Sequence, residues 1–281
     1  MQTIRVATWN AEGMFSDGAM TKRASPHDAL STLKNLDADI VTIPEFGVNG
    51  RVDGGVLIAI RSLGYQIIEV PYDDPTMPNY VPENYEMALL TRLPLRSHTL
   101  HRFANSGRRF VEAHIELPGN KNLLRVIGLH LDDKAEKLRL EQVDQVIELA
   151  NKAHVGQMIV LGDFNAMPSR SNVAKILRTK TAGALGSVLP HAFMRSMSKR
   201  VNEMAIGTTI ARLLAATTLR DLDTKHRLTV SAKNSGAKWL PSIKIAKIDW
   251  ILATSLVKVL EYKIFSDVGS DHRPVRATIQ L

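Results

Sequence analysis

The chain is built from short apolar runs, and nearly every one is bounded by a residue able to carry chemistry. Ile4–Trp9 alternates apolar and polar side chains and stops at Asn10, the run 39–44 stops at Glu45, and Leu123–Leu129 stops at His130. Gln157–Leu161 gives way to Gly162-Asp163-Phe164-Asn165, Asp249 stands at the head of 248–253, and Asp271-His272 comes just before 274–279. Runs of this length read as strands. Strand ends are where a rigid sheet can deliver polar groups to one pocket.

Between these runs the pattern changes. Ser25-Pro26-His27-Asp28 offers an N-cap, a proline in the first turn and a capping acid, and Ala29, Leu33 and Leu36 follow at helical spacing. A second helix is expected over Ala135–Ala153, with Leu140, Val143, Ile147 and Ala150 on one face. Val56–Ile60, Met87–Thr91 and Phe110–Leu117 read as further strands. A long loop is expected at Pro71–Pro82 and a turn at Pro118-Gly119-Asn120. Helical pieces at Asn172–Arg178 and Val201–Ala216 precede closing strands at Ile248–Ala253, Val257–Tyr262 and Pro274–Ile279. With no internal repeat, one compact α/β domain over residues 1–281 is the simplest organisation.

The composition removes several chemistries. There is no cysteine, so a thiolate zinc site, an iron–sulfur cluster, a disulfide scaffold and a cysteine nucleophile are excluded. A Gly-x-Ser-x-Gly elbow is also missing, so Ser270 beside Asp271-His272 does not make a serine hydrolase. The formal charge of +8 is unevenly placed: residues 1–168 carry 17 Lys and Arg against 21 Asp and Glu, whereas 169–248 carry 15 against 3. That basic stretch would attract a polyanion, with DNA or another nucleic acid the expected partner, although only Phe193 and Trp239 interleave it with aromatics. Neither Met1–Glu12 nor Ala205–Leu219, which Arg212 interrupts, has the length and apolarity of a signal or membrane segment. A cytoplasmic location is expected, and nothing points to an obligate protein partner.

Asparagine and carboxylate oxygens without thiolates suit hard Mg2+ or Mn2+. A hard cation beside histidines fits hydrolysis of a phosphate ester. His98, His101, His114, His154 and His191 lack such surroundings and read as structural or surface residues.

Taken in order, TWNAEG (8–13), PEFG (44–47), LLTRLPL (89–95), GLHLD (128–132), LGDFNAMP (161–168), KIDWIL (247–252) and SDHRPV (270–275) resemble the motifs of the endonuclease/exonuclease/phosphatase superfamily, the deoxyribonuclease I-like proteins. The resemblance implies a four-layer α/β/β/α sandwich and a divalent-metal phosphohydrolase using Mg2+, with Mn2+ as an alternative. It implies Glu45 as the principal metal carboxylate, Asn10 assisting it, and Asp271 as a further metal-site ligand. Asp163 and Asn165 resemble the pair that orients the attacking water and contacts the phosphate. His272 resembles the catalytic imidazole, Asp249 its carboxylate partner, and His130 the second histidine, with Glu86 a candidate to orient it. Arg109 matches the phosphate-contacting arginine, with Arg108 a rival. Pro44 departs from the family's usual glutamine, and Glu12 reads either as an extra metal ligand or as a surface carboxylate.

The resemblance leaves the substrate open. The basic stretch favours a DNA endonuclease or exonuclease of low sequence specificity. A sphingomyelinase- or inositol-phosphatase-like phosphohydrolase is the enzymatic alternative, with Tyr72, Met77 and Tyr80 as the nearest thing to its apolar loop. An inactive basic nucleic-acid-binding module is the non-enzyme alternative.

Overall fold

The computed structural model describes residues 2–16, 25–47, 52–72, 85–119, 122–152, 156–168, 203–204, 206–231, 244–266 and 269–281. In chain order the first half gives β1 (Thr3–Thr8), α1 (Pro26–Leu36), β2 (Ile40–Pro44), α2 (Gly54–Ser62), β3 (Gln66–Pro71), β4 (Tyr85–Thr91), β5 (Leu95–Arg102) and β6 (Arg109–Glu116). There follow β7 (Leu123–His130), α3 (Glu136–Lys152), β8 (Met158–Asp163), α4 (Thr208–Ala216), β9 (Leu219–Asp221) and β10 (Val230–Ser231). The chain closes with β11 (Lys244–Ala246), β12 (Asp249–Thr254), β13 (Lys258–Ile264) and β14 (Val275–Gln280).

The strands form two six-stranded mixed sheets, ordered β13-β14-β1-β2-β4-β3 and β5-β6-β7-β8-β12-β9, with β10-β11 as a small separate pair. Alternation along each strand sends one set of side chains into the space between the sheets: Val6, Ile40 and Leu89 from the first meet Val111, Val126, Leu161 and Ile251 from the second. The opposite set packs outward. Trp9, Val41, Ile43 and Leu90 pack with Leu33 of α1 and Ile60 of α2, and Ile127, Val160 and Leu252 pack with Val143 of α3 and Leu213 of α4. Helix, sheet, sheet and helix therefore stack as the expected α/β/β/α sandwich. No helix among the described residues is long and apolar enough to cross a membrane.

Local chemistry explains where α1 starts. Ser25 Oγ accepts from Asp28 N at 3.3 Å while Asp28 Oδ2 accepts from Ser25 N at 2.8 Å, and Pro26 sits in the first turn. Val56–Ile60, expected as a strand, instead lies within α2. Asp53 caps that helix by accepting from Gly55 N at 2.6 Å, and Val56 and Ile60, four residues apart, face the core together. An all-apolar pentapeptide carries no period, so the cap and the packing decide its form. In α3, Val143, Val146 and Ala150 are buried, while Leu140 and Ile147 are only partly covered.

Other differences concern element ends. β8 continues through Gly162 and Asp163, two residues past the expected stop, because both pair with β12. Within 201–216, residues 203–204 are helical and helix α4 runs over Thr208–Ala216, with 201–202 and 205 outside the described residues. Pro71, expected to open a long loop, ends β3, and residues 73–84 lie outside the described residues, as do Asn120 and the expected helix 172–178.

Candidate active site

Asp163 sits where three strands come into register. It is the last residue of β8, opposite His130 of β7 on one side and Asp249 of β12 on the other. The approach of β7 and β8 depends on Gly162. Its φ is +152°, and a Cβ there would lie 1.9 Å from the Leu129 carbonyl oxygen. Asp163 Oδ1 accepts from Asn165 N at 2.8 Å, and Asn165 Nδ2 donates to the Leu131 carbonyl at 3.0 Å, so the GDFN loop folds back against its own strand.

His272 lies across from this carboxylate. Its Nδ1 is 3.0 Å from both oxygens of the buried Asp249, leaving Nε2 turned toward Asp163 Oδ2 at 3.8 Å and Asp271 Oδ1 at 3.6 Å. An Nδ1–H facing a carboxylate fixes both ring orientation and tautomer. Ser270 acts as a staple rather than a nucleophile: its hydroxyl donates to the Asn10 carbonyl at 2.7 Å and accepts from His272 N at 3.0 Å, joining the loop before β14 to the end of β1.

The first sheet contributes the oxygen donors. Asn10 Nδ2 donates to Glu45 Oε1 and to Asp163 Oδ2, both at 3.0 Å, and so bridges the two sheets. Glu45 follows β2, and its amide donates to the Glu86 carbonyl at 2.6 Å. Glu12 is not a surface carboxylate; its Oε2 accepts from Asp271 N at 2.8 Å. Left-handed backbone at non-glycine residues is costly, about 1–3 kcal/mol each, and tends to collect at functional sites. Here Glu12 (φ 46°), Glu45 (53°) and Asn165 (47°) all adopt it.

A second imidazole–acid pair completes the cluster. His130 Nδ1 is 2.5 Å from Glu86 Oε1, and its Nε2 faces Asp163 Oδ2 at 3.6 Å and Glu45 Oε1 at 3.9 Å. Arg108 Nε approaches the same Glu86 oxygen at 3.3 Å, and the guanidinium meets Asp133 at 3.4 Å and donates to the Leu131 carbonyl. Arg109 opens β6 opposite Arg102.

The field around this cluster is strongly polarised. Burial works against a charged His272, but Asp249, Asp271 and Asp163 more than offset it and hold the imidazole well above the ordinary histidine value. His130 is also raised: burial and Arg108 oppose its charge, and Glu86 and Asp163 outweigh them. Burial pushes the Glu86 carboxyl up, but Arg108 and His130 bring it below the usual range. Glu12 and Asp271 go the other way. Burial and then Asp271 push Glu12 up to about 7, and burial, with Glu45 and Asp163 against His272, raises Asp271. Carboxylates whose charged forms are disfavoured by burial and by one another are a donor set that a hard cation would relieve. Asp163, Asp249 and His272 also offer donor atoms within 4.8 Å of one another, a spacing consistent with a divalent cation.

Asn10, Glu45, Glu86, His130, Asp163, Asn165, Asp249, Asp271 and His272 therefore belong to one connected network. Glu12, Ser270 and Arg108 join it; Glu12 and Ser270 lie in quoted motifs and Arg108 outside them, but nothing local marks any of the three as a partner. Of the basic stretch, residues 169–202, 205 and 232–243 lie outside the described residues, and with them Phe193 and Trp239; so do Met77 and Tyr80 of the expected loop.

The sequence profile of the Endonuclease/Exonuclease/phosphatase family matches residues 7–272. No curated relative was found by sequence. Among solved structures, an AP endonuclease from Archaeoglobus fulgidus is 13% identical with a TM-score of 0.68, the match covering 99% of this chain and 100% of that one. A 3′ phosphatase from Neisseria, bound to a product DNA hairpin, is 15% identical with a TM-score of 0.66 and the same coverage. A mannosyl-6-phosphatase from Bacteroides thetaiotaomicron is 14% identical with a TM-score of 0.63, again covering 99% and 100%. At these identities the likeness is one of fold.

Proposed function

Because the chain belongs to the endonuclease/exonuclease/phosphatase family, whose profile spans nearly its whole length, we propose that it is a divalent-metal-dependent phosphodiesterase cleaving the nucleic-acid backbone, with DNA as substrate and little sequence specificity. Family membership and the buried acid–histidine cluster support metal-dependent phosphoester hydrolysis. The narrower choice of DNA rests on the charge of residues 169–248, which would hold phosphates without reading bases. The fold leaves this choice open, since solved relatives include proteins described as acting on DNA and on a sugar phosphate.

One observation carries the chemical reading: two imidazoles, each backed by its own carboxylate, face the same oxygen of Asp163. In the proposed reaction Asp163 receives the proton of the attacking water, with Asn165 holding its other oxygen and contacting the phosphate. His272, oriented by Asp249, and His130, oriented by Glu86, present positive charge where the phosphorane develops negative charge. One of the rings then supplies the proton the leaving oxygen needs. Arg108, tied to Glu86, adds to this field. Both oxygens of Asp249 are engaged with His272, so the metal is assigned to Glu45, with Asn10 and Asp271. When bound, Mg2+ or Mn2+ supplies Lewis-acid polarisation of the phosphoryl oxygens.

Supercoiled plasmid incubated with purified protein and Mg2+ or Mn2+ tests this reading. Nicking is expected, abolished by EDTA and reduced at least about a thousandfold in Glu45→Ala and His272→Ala. Metal-dependent release of phosphate or phosphocholine with intact DNA would move the chain to the sugar-phosphatase or sphingomyelinase side of the family. Undiminished nicking in both variants would remove the assigned site.

A further inference from the structure

Lys247 is fully buried two residues before Asp249. Its ammonium lies 2.6 Å from Asp221 Oδ2, 3.6 Å from Asp223 Oδ2 and 4.1 Å from the centre of the Trp250 ring. Asp223 is closed on its other side by Arg227, whose amide donates to Oδ2 at 2.6 Å and whose Nε donates to Oδ1 at 2.9 Å. The same guanidinium donates to the Tyr262 carbonyl at 2.8 Å and lies over the Tyr262 ring. Only three acids occur in residues 169–248, and two of them are in this cluster.

The segment leaving this cluster runs directly to the site. Thr229 Oγ1 accepts from the amides of Ile248 and Asp249, both at 3.3 Å, and its carbonyl accepts from Arg273 N at 2.8 Å. Val230 bridges to His272, and Ser231 N donates to the Asp271 carbonyl at 2.8 Å. Residues 229–231 thus touch both halves of the His272–Asp249 pair, and the turn 221–227 fixes where they begin. Burial pushes Tyr262 well above the ordinary tyrosine value, with Asp223, Asp221 and Asp249 adding to the rise.

Stability alone is a poor reason for such a cluster. Burying an ammonium with two carboxylates carries a desolvation cost that well-packed apolar side chains avoid. What charged groups add is a fixed distance and direction. We propose that Lys247 is a positioning residue for the His272–Asp249 pair, clamping the 221–227 turn so that Thr229 and the 229–231 backbone hold both halves in register. This role rests on the reading of that pair as catalytic given above.

The test compares Lys247→Met, Lys247→Arg and Thr229→Val with Ile68→Ala, a core truncation on β3 of the first sheet. Plasmid nicking with Mg2+ gives kcat and KM, thermal melting gives stability, and proton NMR follows the His272 Nδ1–H resonance, identified by its loss in His272→Gln. Lys247→Met and Thr229→Val should lower kcat about tenfold to a hundredfold with KM within about twofold, and should shift or broaden that resonance. Lys247→Arg should recover much of both signals, and Ile68→Ala should melt earlier with kcat and resonance unchanged. A folded Lys247→Met with native kcat and resonance would overturn the role. Where Lys247→Met fails to fold, Thr229→Val decides by the same two readouts. Should wild-type protein leave DNA intact, the functional reading fails, and the resonance still judges Lys247.

Discussion

Both oxygens of Asp249 lie 3.0 Å from one ring nitrogen of His272, so the carboxylate sets which nitrogen carries the proton. Asp249→Asn keeps the shape, but its amide can present a donor to that nitrogen and favour the wrong tautomer. The expected outcome is a fall in kcat of about 10²- to 10⁴-fold with little change in KM or melting temperature, read by steady-state kinetics beside a thermal melt. A large KM effect with kcat preserved would place the pair in binding instead. The positions were legible one by one because these polar groups bound apolar runs. The partnerships were less so. Nothing local joins Glu12 to Asp271 or Arg108 to Glu86, since each link spans separate elements.

At the level of elements, the β7–β8 seam is the most sensitive point. Gly162→Ala would drive a Cβ into the Leu129 carbonyl and separate the strands that set His130 beside Asp163. Gly119→Ala, at φ +75° with nothing within 4 Å, meets only backbone strain. Urea unfolding should give a loss of about 3 kcal/mol or more for the first and about 1–2 kcal/mol for the second. Equal losses would mean that the close approach does not matter. α1 was readable because its capping box is local, whereas α2 was not, because an unbroken apolar run fits either form. β5 escaped notice for the opposite reason: LRSHTLHR is an edge strand with mostly exposed side chains, and its pairing with β6 defines it.

Over the whole molecule, carboxylates in both sheets and in the basic stretch are held below their ordinary range. For Glu86, Glu112 and Asp223 burial acts the other way but is outweighed: by Arg108 and His130 for the first, Arg125 and His101 for the second, and Lys247 and Arg227 for the third. A depressed carboxyl stabilises the fold above its unfolded value and loses that contribution as pH falls through its folded value. These three carboxylates should therefore give an acid limb, melting temperature dropping below about pH 4, with Asp223→Asn less stable at pH 7 and showing a shallower limb. A parallel acid limb in the variant would count against the ion cluster as a stabilising unit.

The amino-acid order by itself determined the strand runs, the first helix cap, the motif series and the surplus of positive charge, all of which are properties of neighbouring residues. Only the tertiary structure decided how that charge is used. Arg227 and Lys247 belong to the basic stretch, yet their charges are engaged with Asp221 and Asp223 inside the molecule. It also brought Asn10, Glu45, His130, Asp163 and His272 into one network from strands and loops of two sheets. Such contacts depend on register and sheet packing, which long-range burial sets and no local stretch encodes.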